Sequence, residues 1–476
     1  MSVGTSPAFK DNARAALGDA QLQRALSSVA PGLAARRSTA RAALPEFEAL
    51  RDVGRDIKDH TLAYLDLYLE AFANKARAAG SHVHFAATAE DAREIIRAIC
   101  RDAGARVVTK GKSMVSEEIG LNACLEADGL EVVETDLGEY LIQIRGETPS
   151  HIIAPAIHLT QDQVEADFRR LHTDLPKDRV LIEPTQLVSE AREILRGKFL
   201  AADVGITGAN FLIAETGTSV IVTNEGNGDL TQSLPKVHIA LASIEKLVPT
   251  LEDVSTLIRL LARSATGQEI STYTTFSTGP RRPGDPDGPE ACHIVILDNG
   301  RSELLGTALQ EVLRCIRCGA CMNHCPVYTA IGGHAYGWVY PGPIGAVLTP
   351  ALIGMRSAGH LPNASTFCGR CEQVCPMKIP LPGLMRHWRE EEFSAGDTPV
   401  LYRLGLKAWA ALAKRPRLYH PLARLGIAVL AGLGRRRGAF RRLPLAEGWT
   451  RHRDLPAPQS RTFQALWADY KAGVPR

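Results

Sequence analysis

One feature above all limits what this chain of 476 residues can fold into: a run of closely spaced cysteines, C-I-R-C-G-A-C-M-N-H-C-P, from Cys315 to Pro326. The spacing C-x2-C-x2-C-x3-C-P is that of the ligands of four-iron clusters. Three thiolates two residues apart on a curled loop can converge on one cluster, while the fourth cysteine begins the next segment. In proteins with two clusters that fourth cysteine ligates the other cluster, so the run predicts a second run elsewhere.

The second run, C-G-R-C-E-Q-V-C-P from Cys368 to Pro376, is one cysteine short, and Ser365 stands where the missing cysteine would be. Crossed ligation assigns the cysteines to two sets: Cys315, Cys318, Cys321 and Cys375 for cluster one, and Cys325, Cys368 and Cys371 for cluster two. One iron of cluster two is then left without a cysteine of the runs. Three arrangements are open: loss of that iron to give a three-iron cluster, ligation by Ser365, water or a substrate, and ligation by a remote thiol such as Cys292.

Zinc knuckles and disulfides are the alternative explanations of these seven cysteines. Iron–sulfur ligation is favoured because zinc sites usually space two cysteine pairs without the Cys-Pro endings found here. The remaining thiols, Cys100, Cys124 and Cys292, sit among apolar residues and are predicted to belong to the core. Free thiols together with cluster ligands are typical of a reducing cytoplasm.

The length of the chain allows two or three domains with a large core. No apolar run is long enough to span a bilayer, and the first residues, M-S-V-G-T-S-P, lack the charged and then apolar pattern of a signal peptide. We therefore expect a cytoplasmic protein.

The net charge of +3 conceals a basic tail. Between Leu401 and Leu445 there are eleven basic residues and no acidic one, whereas the rest of the chain has 44 basic and 52 acidic residues. Two short helices with an apolar side are predicted in this tail. We interpret it first as a docking surface for an acidic partner and second as a peripheral contact with the inner face of the membrane. Nucleic acid binding is disfavoured because no recognition motif is present.

Strands and helices alternate from His82 onward. Short strands are predicted over 82–85, 106–108 and 131–135, and a second half begins with a strand over 180–182. Between the first three strands, Thr88 with Asp91 resembles a capping box that opens a helix, and a second helix is predicted from Ser113 to Ala127. This alternation predicts an α/β domain with an open parallel sheet. Before it, apolar residues at steps of three to five predict a helical arm. The predicted domains are the arm (1–79), the α/β domain (80–301), a mainly helical two-cluster domain (302–395) and the basic helical region (396–476).

Two polar segments follow strands of the predicted sheet. The loop T-K-G-K-S from Thr109 leaves a strand and enters a helix, so its backbone N–H groups with Lys110, Lys112 and Ser113 would suit a phosphate or carboxylate. It is not a P-loop, because the first glycine of that motif would be Arg106. Solvated lysines at the start of a helix are the alternative.

The second polar segment predicts a pocket formed by Glu215, Thr216, Asn224 and Glu225, because ligands of open α/β sheets bind beyond the carboxyl ends of strands. The alternative is that these residues form simple turns. No G-x-G-x-x-G motif occurs, so the sequence gives no support to a nicotinamide or flavin site of that type.

Several segments resemble a known family. K-G-K-S-M-V-S-E-E-I-G-L-N from Lys110, E-T-D-L-G-E from Glu134, G-I-T-G-A-N-F from Gly205, A-E-T-G from Ala214 and V-T-N-E-G-N from Val222 are similar to the LUD domain of lactate-utilisation proteins. Together with the cysteine runs and the basic tail, they make the chain resemble the B-type iron–sulfur subunits of bacterial lactate-utilisation complexes.

That resemblance implies a fold similar to sugar-phosphate isomerases and CoA-transferases. It also implies two partner proteins, one with cysteine-rich motifs and one small LUD protein, which together support oxidation of L-lactate to pyruvate. This subunit would carry electrons on two 4Fe-4S clusters held by the seven cysteines. A second run of three cysteines is normal in the family.

An electron-carrying role agrees with the chemistry, since lactate oxidation releases two electrons and a four-iron cluster usually takes one. The chain shows no recognisable hydride acceptor, so we expect a partner, or a site that the sequence does not reveal, to perform the first step. Two other classes of function stay open: an isomerase or acyl transferase in the α/β domain with the clusters as a redox sensor, and a scaffold in which the clusters are structural.

Overall fold

The computed structural model describes residues 4–398, 400–443, 447–450 and 453–473. They form two compact units, Met1–Glu392 and Phe393–Arg476, which are described separately. The predicted helical arm, the predicted α/β domain and both cysteine runs belong to the first unit, so the boundaries proposed at residues 80 and 302 stay predictions.

The first unit begins with helices, as predicted. They are α1 (Phe9–Gly18), α2 (Ala20–Ala42), α3 (Phe47–Ala63) and α4 (Leu65–Ala78). Phe72 and Ala76 of α4 are fully buried against the sheet that follows. Helix α3 buries Phe47 and Leu62 in a core that also contains the cysteine runs. The arm therefore packs on both of the parts that follow it.

The main sheet is parallel throughout and has the order β1-β10-β7-β4-β2-β3. Its strands are β1 (His82–Ala86), β2 (Val107–Lys110), β3 (Glu131–Glu134), β4 (Val204–Gly208), β7 (Val237–Ser243) and β10 (Ala291–Leu297). Because all six strands run the same way, their carboxyl ends lie along one edge of the sheet. The predicted parallel α/β architecture is confirmed.

A second, small sheet has the order β8-β5-β6-β9. Its strands are β5 (Phe211–Ile213), β6 (Thr218–Thr223), β8 (Leu247–Val248) and β9 (Tyr273–Ser277). Apolar residues of β5, β6 and β8 enter the core that is shared with the cysteine runs. The small sheet thus joins the α/β part of the unit to the cysteine part.

Helices alternate with the strands of the two sheets. They are α5 (Ala89–Asp102), α6 (Met114–Glu118), α7 (Leu121–Ala127), α8 (Leu137–Arg145), α9 (Gln161–Leu171), α10 (Pro184–Ala201), α11 (Asn227–Ser233) and α12 (Leu251–Ala265). The predicted capping box of α5 is present: Asp91 N–H donates to Thr88 Oγ1 at 3.2 Å, and Thr88 N–H donates to the Asp91 carboxylate at 2.9 Å.

Two local predictions are wrong. The helix predicted from Ser113 to Ala127 is divided into α6 and α7 at Gly120, whose φ of +63° lies outside the helical region. Residues 180–182 do not form a strand, and Val180 and Ile182 are exposed. An apolar V-x-I pattern predicts a strand only where a neighbouring strand can pair with it.

Short helices build the cysteine part: α13 (Ala320–Asn323), α14 (Tyr328–Ile331), α15 (Gly342–Ile353), α16 (Met355–Ala358), α17 (Arg370–Val374) and α18 (Leu381–Ala395). Helix α15 has no charged residue, and all of Gly342–Pro350 is buried. A helix that is apolar on every side is stable only when surrounded by protein. It forms the centre of this part of the unit.

The second unit contains α19 (Val400–Ala413), α20 (Pro416–Gly434), β11 (Ala439–Phe440), α21 (Glu447–Thr450), β12 (Leu455–Pro456) and α22 (Phe463–Lys471). Large apolar side chains on α19 and α20 are exposed within it, among them Leu401, Trp409 and Leu433. Among the described residues, no helix combines the length and the hydropathy that crossing a bilayer requires.

Gly205 of β4 is expected to tolerate no side chain. A Cβ atom at this position would lie 1.8 Å from the carbonyl oxygen of Thr231 in α11. Gly205→Ala should therefore lower the free energy of unfolding by about 1–3 kcal/mol, as overpacking does. Chemical denaturation of Gly205→Ala, of a control variant and of the parent protein would measure this change in the free energy of unfolding.

Gly197→Ala is the matched control, because Gly197 lies inside α10 with open space around its Cα. Replacing a helical glycine with alanine should stabilise the protein by up to about 1 kcal/mol. Equal effects of the two substitutions would contradict the close approach of α11 to β4.

Candidate functional site

The two cysteine runs fold into matching loops. Arg317 and Gly319 have φ values of +59° and +71° in the first loop, and Phe367 and Gly369 have values of +54° and +78° in the second. Residues other than glycine rarely adopt positive φ. A short helix follows each loop, α13 after the first and α17 after the second. Both loops therefore curl the chain in the same way.

Four cysteines, three from the first run and one from the second, form one group. Burial, with contributions from the nearby Cys375 and Cys315, raises the pKa of Cys318 to about 12. Burial also raises the pKa of Cys321, with added contributions from Cys315, Cys318 and Cys375. Such mutual effects occur only between thiols that lie close together.

The other three cysteines form a second group beside the first. Burial, with contributions from Cys325 and Cys368, raises the pKa of Cys371 to about 12. The backbone N–H of Arg370 lowers the pKa of the exposed Cys368. Cys371 also contributes to the raised pKa of Cys321, so the two groups adjoin.

Backbone N–H groups point to the sulfur atoms. Arg317 N–H donates to Cys315 Sγ at 3.4 Å, and Tyr328 N–H donates to Cys325 Sγ at 3.5 Å. Hydrogen bonds of this kind stabilise thiolates and help to set the potential of iron–sulfur clusters. A set of grouped, mostly buried thiols with amide donors fits thiolate-ligated iron.

The helical arm holds the second run in place. Arg37 of α2 donates to the Val374 carbonyl at 2.7 Å, and Arg51 of α3 donates to the Cys375 carbonyl at 3.0 Å and 2.7 Å. Both guanidinium groups are buried. Sequence reasoning gave the arm only a packing role, because the partners of these arginines are more than 300 residues away along the chain.

A cavity of about 210 Å³ lies at the carboxyl-end edge of the main sheet. Loops that follow β2, β3, β4, β6 and β7 line it, and so do Arg317 and Tyr340 of the cysteine part. Four of the residues predicted to form a pocket line this cavity, namely Lys112, Ser113, Asn224 and Glu225. Their role in binding stays a prediction.

The other three predicted pocket residues lie elsewhere. Lys110 is fully buried and forms ion pairs with Glu117 at 2.8 Å and Glu134 at 2.6 Å. Burial alone would lower the pKa of Lys110, but these two carboxylates raise it. This lysine is therefore a structural ion-pair partner. The sequence could not reveal this, because Glu134 belongs to the adjacent strand β3.

Glu215 and Thr216 also have structural roles. The Glu215 carboxylate accepts a hydrogen bond from the Leu251 N–H at the start of α12, at 3.1 Å. The Thr216 hydroxyl donates to Thr218 Oγ1 at 2.7 Å and stabilises the turn before β6. Neither residue lines the cavity. This agrees with the alternative that these residues form simple turns.

Sequence reasoning missed a buried charge network beside the cavity. Arg301 pairs with Glu118 at 2.6 Å and with Glu245 at 3.0 Å. Glu245 also accepts a hydrogen bond from Arg317 at 3.2 Å. Burial would raise the pKa of Glu245, but Arg301 and Arg317 outweigh it and lower the pKa to about 2. This network joins the end of the main sheet to the first cysteine loop.

The comparisons with known proteins match three parts of the chain. Residues 69–297 match the LUD domain, residues 311–379 match the 4Fe-4S dicluster domain, and residues 392–472 match the C-terminal region of lactate utilisation protein B. The chain is thus an iron–sulfur protein in which a LUD domain is joined to a domain for 4Fe-4S clusters.

Similar proteins cover the chain almost completely. Lactate utilization protein B of Bacillus licheniformis is 43% identical over 98% of this chain and 98% of its own length. The protein of the same name from Macrococcus caseolyticus is 43% identical over 98% and 97%, and that from Bacillus subtilis is 42% identical over 98% and 97%. The chain belongs to the lactate utilization protein B family.

A crystal structure of a DUF162 family protein from Deinococcus radiodurans aligns with 49% of this chain and 98% of its own, at 16% identity and a TM-score of 0.28. This likeness is too weak to support a conclusion about the chain.

Arg51→Leu is expected to weaken the attachment of the second cysteine run. The substitution removes two hydrogen bonds from a charged donor to the Cys375 carbonyl, each contributing about 1.5–3 kcal/mol. Loss of iron on exposure to air should become about tenfold faster or more, measured by iron content and by visible absorbance. Arg55→Leu on the same helix, whose side chain is 36% exposed, should leave the rate unchanged.

Proposed function

We propose that this chain is the electron-transferring iron–sulfur subunit of a complex that oxidises L-lactate to pyruvate. Membership of the lactate utilization protein B family supports a redox role in lactate use. The observation that supports electron transfer most is the grouping of the seven cysteines of both runs within one compact unit.

The proposed ligands of cluster one are Cys315, Cys318, Cys321 and Cys375, and those of cluster two are Cys325, Cys368 and Cys371. The pKa effects described above support this division, since, among the described residues, the thiols that act on Cys318 are Cys375 and Cys315, and those that act on Cys371 are Cys325 and Cys368. When bound, each cluster takes up one electron, so two neighbouring clusters match the two electrons that leave L-lactate together with two protons.

The chain's own residues shield most of the cysteines from water, although Cys368 is exposed. Tyr328, Tyr336 and Met322 are fully buried in the core that contains the cysteines. The Tyr328 hydroxyl donates to the Ser150 carbonyl at 2.7 Å, which ties the cysteine part to the α/β part. Removing water around a cluster changes its potential and slows its loss.

Two further proteins complete the proposed complex: one with cysteine-rich motifs and one small LUD protein. One of these partners would remove the hydride or its equivalent, because this sequence carries no known signature for a hydride acceptor. The basic residues of the second unit, among them Arg403, Lys407 and Arg424, provide charge for docking an acidic partner or for a peripheral contact at the inner face of the membrane.

The experiment is an anaerobic EPR titration with L-lactate. Clusters of the isolated protein should stay oxidised, and they should become reduced once both partner proteins are added. The control is Cys318→Ser in the same mixture, which should lose roughly half of its iron and half of the reducible signal. Cys124→Ser, outside the runs, should behave as the parent protein does.

Each other outcome would contradict part of the proposal. Reduction of the isolated protein would place the oxidation of lactate in this chain. Absence of reduction in the mixture, with dithionite still effective, would mean a different substrate. Clusters that dithionite cannot reduce would indicate a structural scaffold.

A further inference from the structure

The cavity beside the first cysteine loop is lined by buried cationic groups whose N–H donors are not all used. Lys246 lines the cavity and is only 7% exposed, and among the described residues its ammonium group makes no hydrogen bond and no ion pair. Arg317 also lines the cavity, and its Nη1 atom is buried without a hydrogen-bond partner. A buried cation without a partner is costly, so a ligand of opposite charge would be bound strongly here.

These cations share few anions. Arg301 and Arg317 both depend on the Glu245 carboxylate, and Arg301 also uses Glu118. Lys58, fully buried nearby, donates only to the carbonyl groups of Glu245 and Leu247. Four buried cations, Lys58, Lys246, Arg301 and Arg317, thus share two buried carboxylates, Glu118 and Glu245, and the sulfur of Cys315, which acts on three of them.

The lining also contains carboxylates. Asp136 and Glu225 line the same cavity as Lys246 and Arg317, and so does the cation Lys112. The cavity therefore offers both cations and carboxylates to a ligand. A matching ligand carries an oxyanion and, at its other end, a hydroxyl or amine that can donate a hydrogen bond.

The volume of the cavity limits the size of the ligand. Its volume is about 210 Å³, whereas pockets for drug-sized ligands measure about 300–1,000 Å³. The cavity therefore suits a molecule of a few heavy atoms.

We propose that this cavity binds a small organic oxyanion, a carboxylate or a phosphate, held by Lys246 and Arg317 next to Cys315. The position follows from Arg317, which lines the cavity and whose backbone N–H donates to Cys315 Sγ at 3.4 Å. The proposal does not depend on lactate oxidation in the complex, because it concerns binding to this chain alone.

The experiment is calorimetric titration of the anaerobically purified full-length protein with L-lactate, pyruvate, inorganic phosphate and glycerol 3-phosphate. Comparing the affinities of the two carboxylates with those of the two phosphates shows which kind of oxyanion the cavity binds. L-Lactate should bind more tightly than pyruvate, since only L-lactate has a hydroxyl donor. EPR spectra of the dithionite-reduced protein should change shape on addition of the ligand that binds.

Lys246→Met should weaken binding about tenfold or more, and Lys246→Arg should restore most of it. Lys198→Met is the matched control, because Lys198 pairs with Glu131 on the exposed surface of α10. Iron content and circular dichroism would verify folding. The proposal is overturned by the absence of saturable binding for all four compounds, or by equal affinity in the parent protein and Lys246→Met.

A different observation concerns the missing cysteine of the second run. Phe367 N–H donates to Ser365 Oγ at 3.1 Å, just as Arg317 N–H donates to Cys315 Sγ at 3.4 Å. The flanking φ values match as well, as described above. Ser365 Oγ thus has the place in its loop that Cys315 Sγ has in the first loop.

We infer that Ser365 Oγ is the fourth protein ligand of cluster two. The inference rests on the proposed ligand set, in which Cys325, Cys368 and Cys371 supply the other three. A serine oxygen is a harder ligand than a thiolate and holds its iron less firmly. The iron at this corner should therefore be the first that oxidation removes.

Brief treatment with ferricyanide, followed by EPR for three-iron clusters, tests this inference. Ser365→Cys should slow formation of the three-iron signal about tenfold, and Ser365→Ala should accelerate it, since a ligand contributes more than 1.4 kcal/mol. Ser27→Ala on exposed α2 is the control. Equal rates in all four proteins would overturn the inference without affecting the proposed electron-transfer function, which the lactate titration tests separately.

Discussion

The fold depends on keeping seven cysteines close together and mostly out of water. Thiols do not gather in this way unaided, because burial raises their pKa and each neighbouring thiolate would repel the next. The chain meets this requirement with two curled loops, amide donors to sulfur, and a core shared by helices α3, α12 and α15 and the small sheet. The cysteine part therefore cannot be regarded as an independent module attached to an α/β domain.

The buried network of Glu118, Glu245, Arg301 and Arg317 gives this shared core its electrostatic connection. Arg301 has no exposed surface, and its partners come from the helix after β2 and the turn after β7. Removing one member of such a network leaves an unpaired buried charge and costs about 3–5 kcal/mol. The same network fixes Arg317 against the Tyr340 ring, 4.4 Å from its centroid, and thus defines one wall of the cavity. Arg317 therefore both stabilises the shared core and lines the proposed anion site.

Sequence reasoning was most successful where the signal is local. The parallel α/β architecture follows from alternating strands and helices, and the capping box at Thr88 and Asp91 is a contact over three residues. It failed at residues 180–182, where an apolar pattern has no strand to pair with. It also failed at Lys110, whose position after a strand is typical of an anion site but whose charge is neutralised by Glu117 and Glu134. In both cases the outcome depends on which segments pack beside the residues, and the sequence does not display this.

The sequence by itself determined the chemistry of the cysteines, the place of Ser365 and the charge of the tail, because each is a matter of residue type and short spacing. Only the tertiary structure decided which charged groups meet. Glu245 and Arg317 are 72 residues apart, and Arg51 and the Cys375 carbonyl are 324 apart. Such contacts arise when packing of the whole core brings distant segments together, and no local pattern encodes them. The cavity with Lys246 and Arg317 exists for that physical reason.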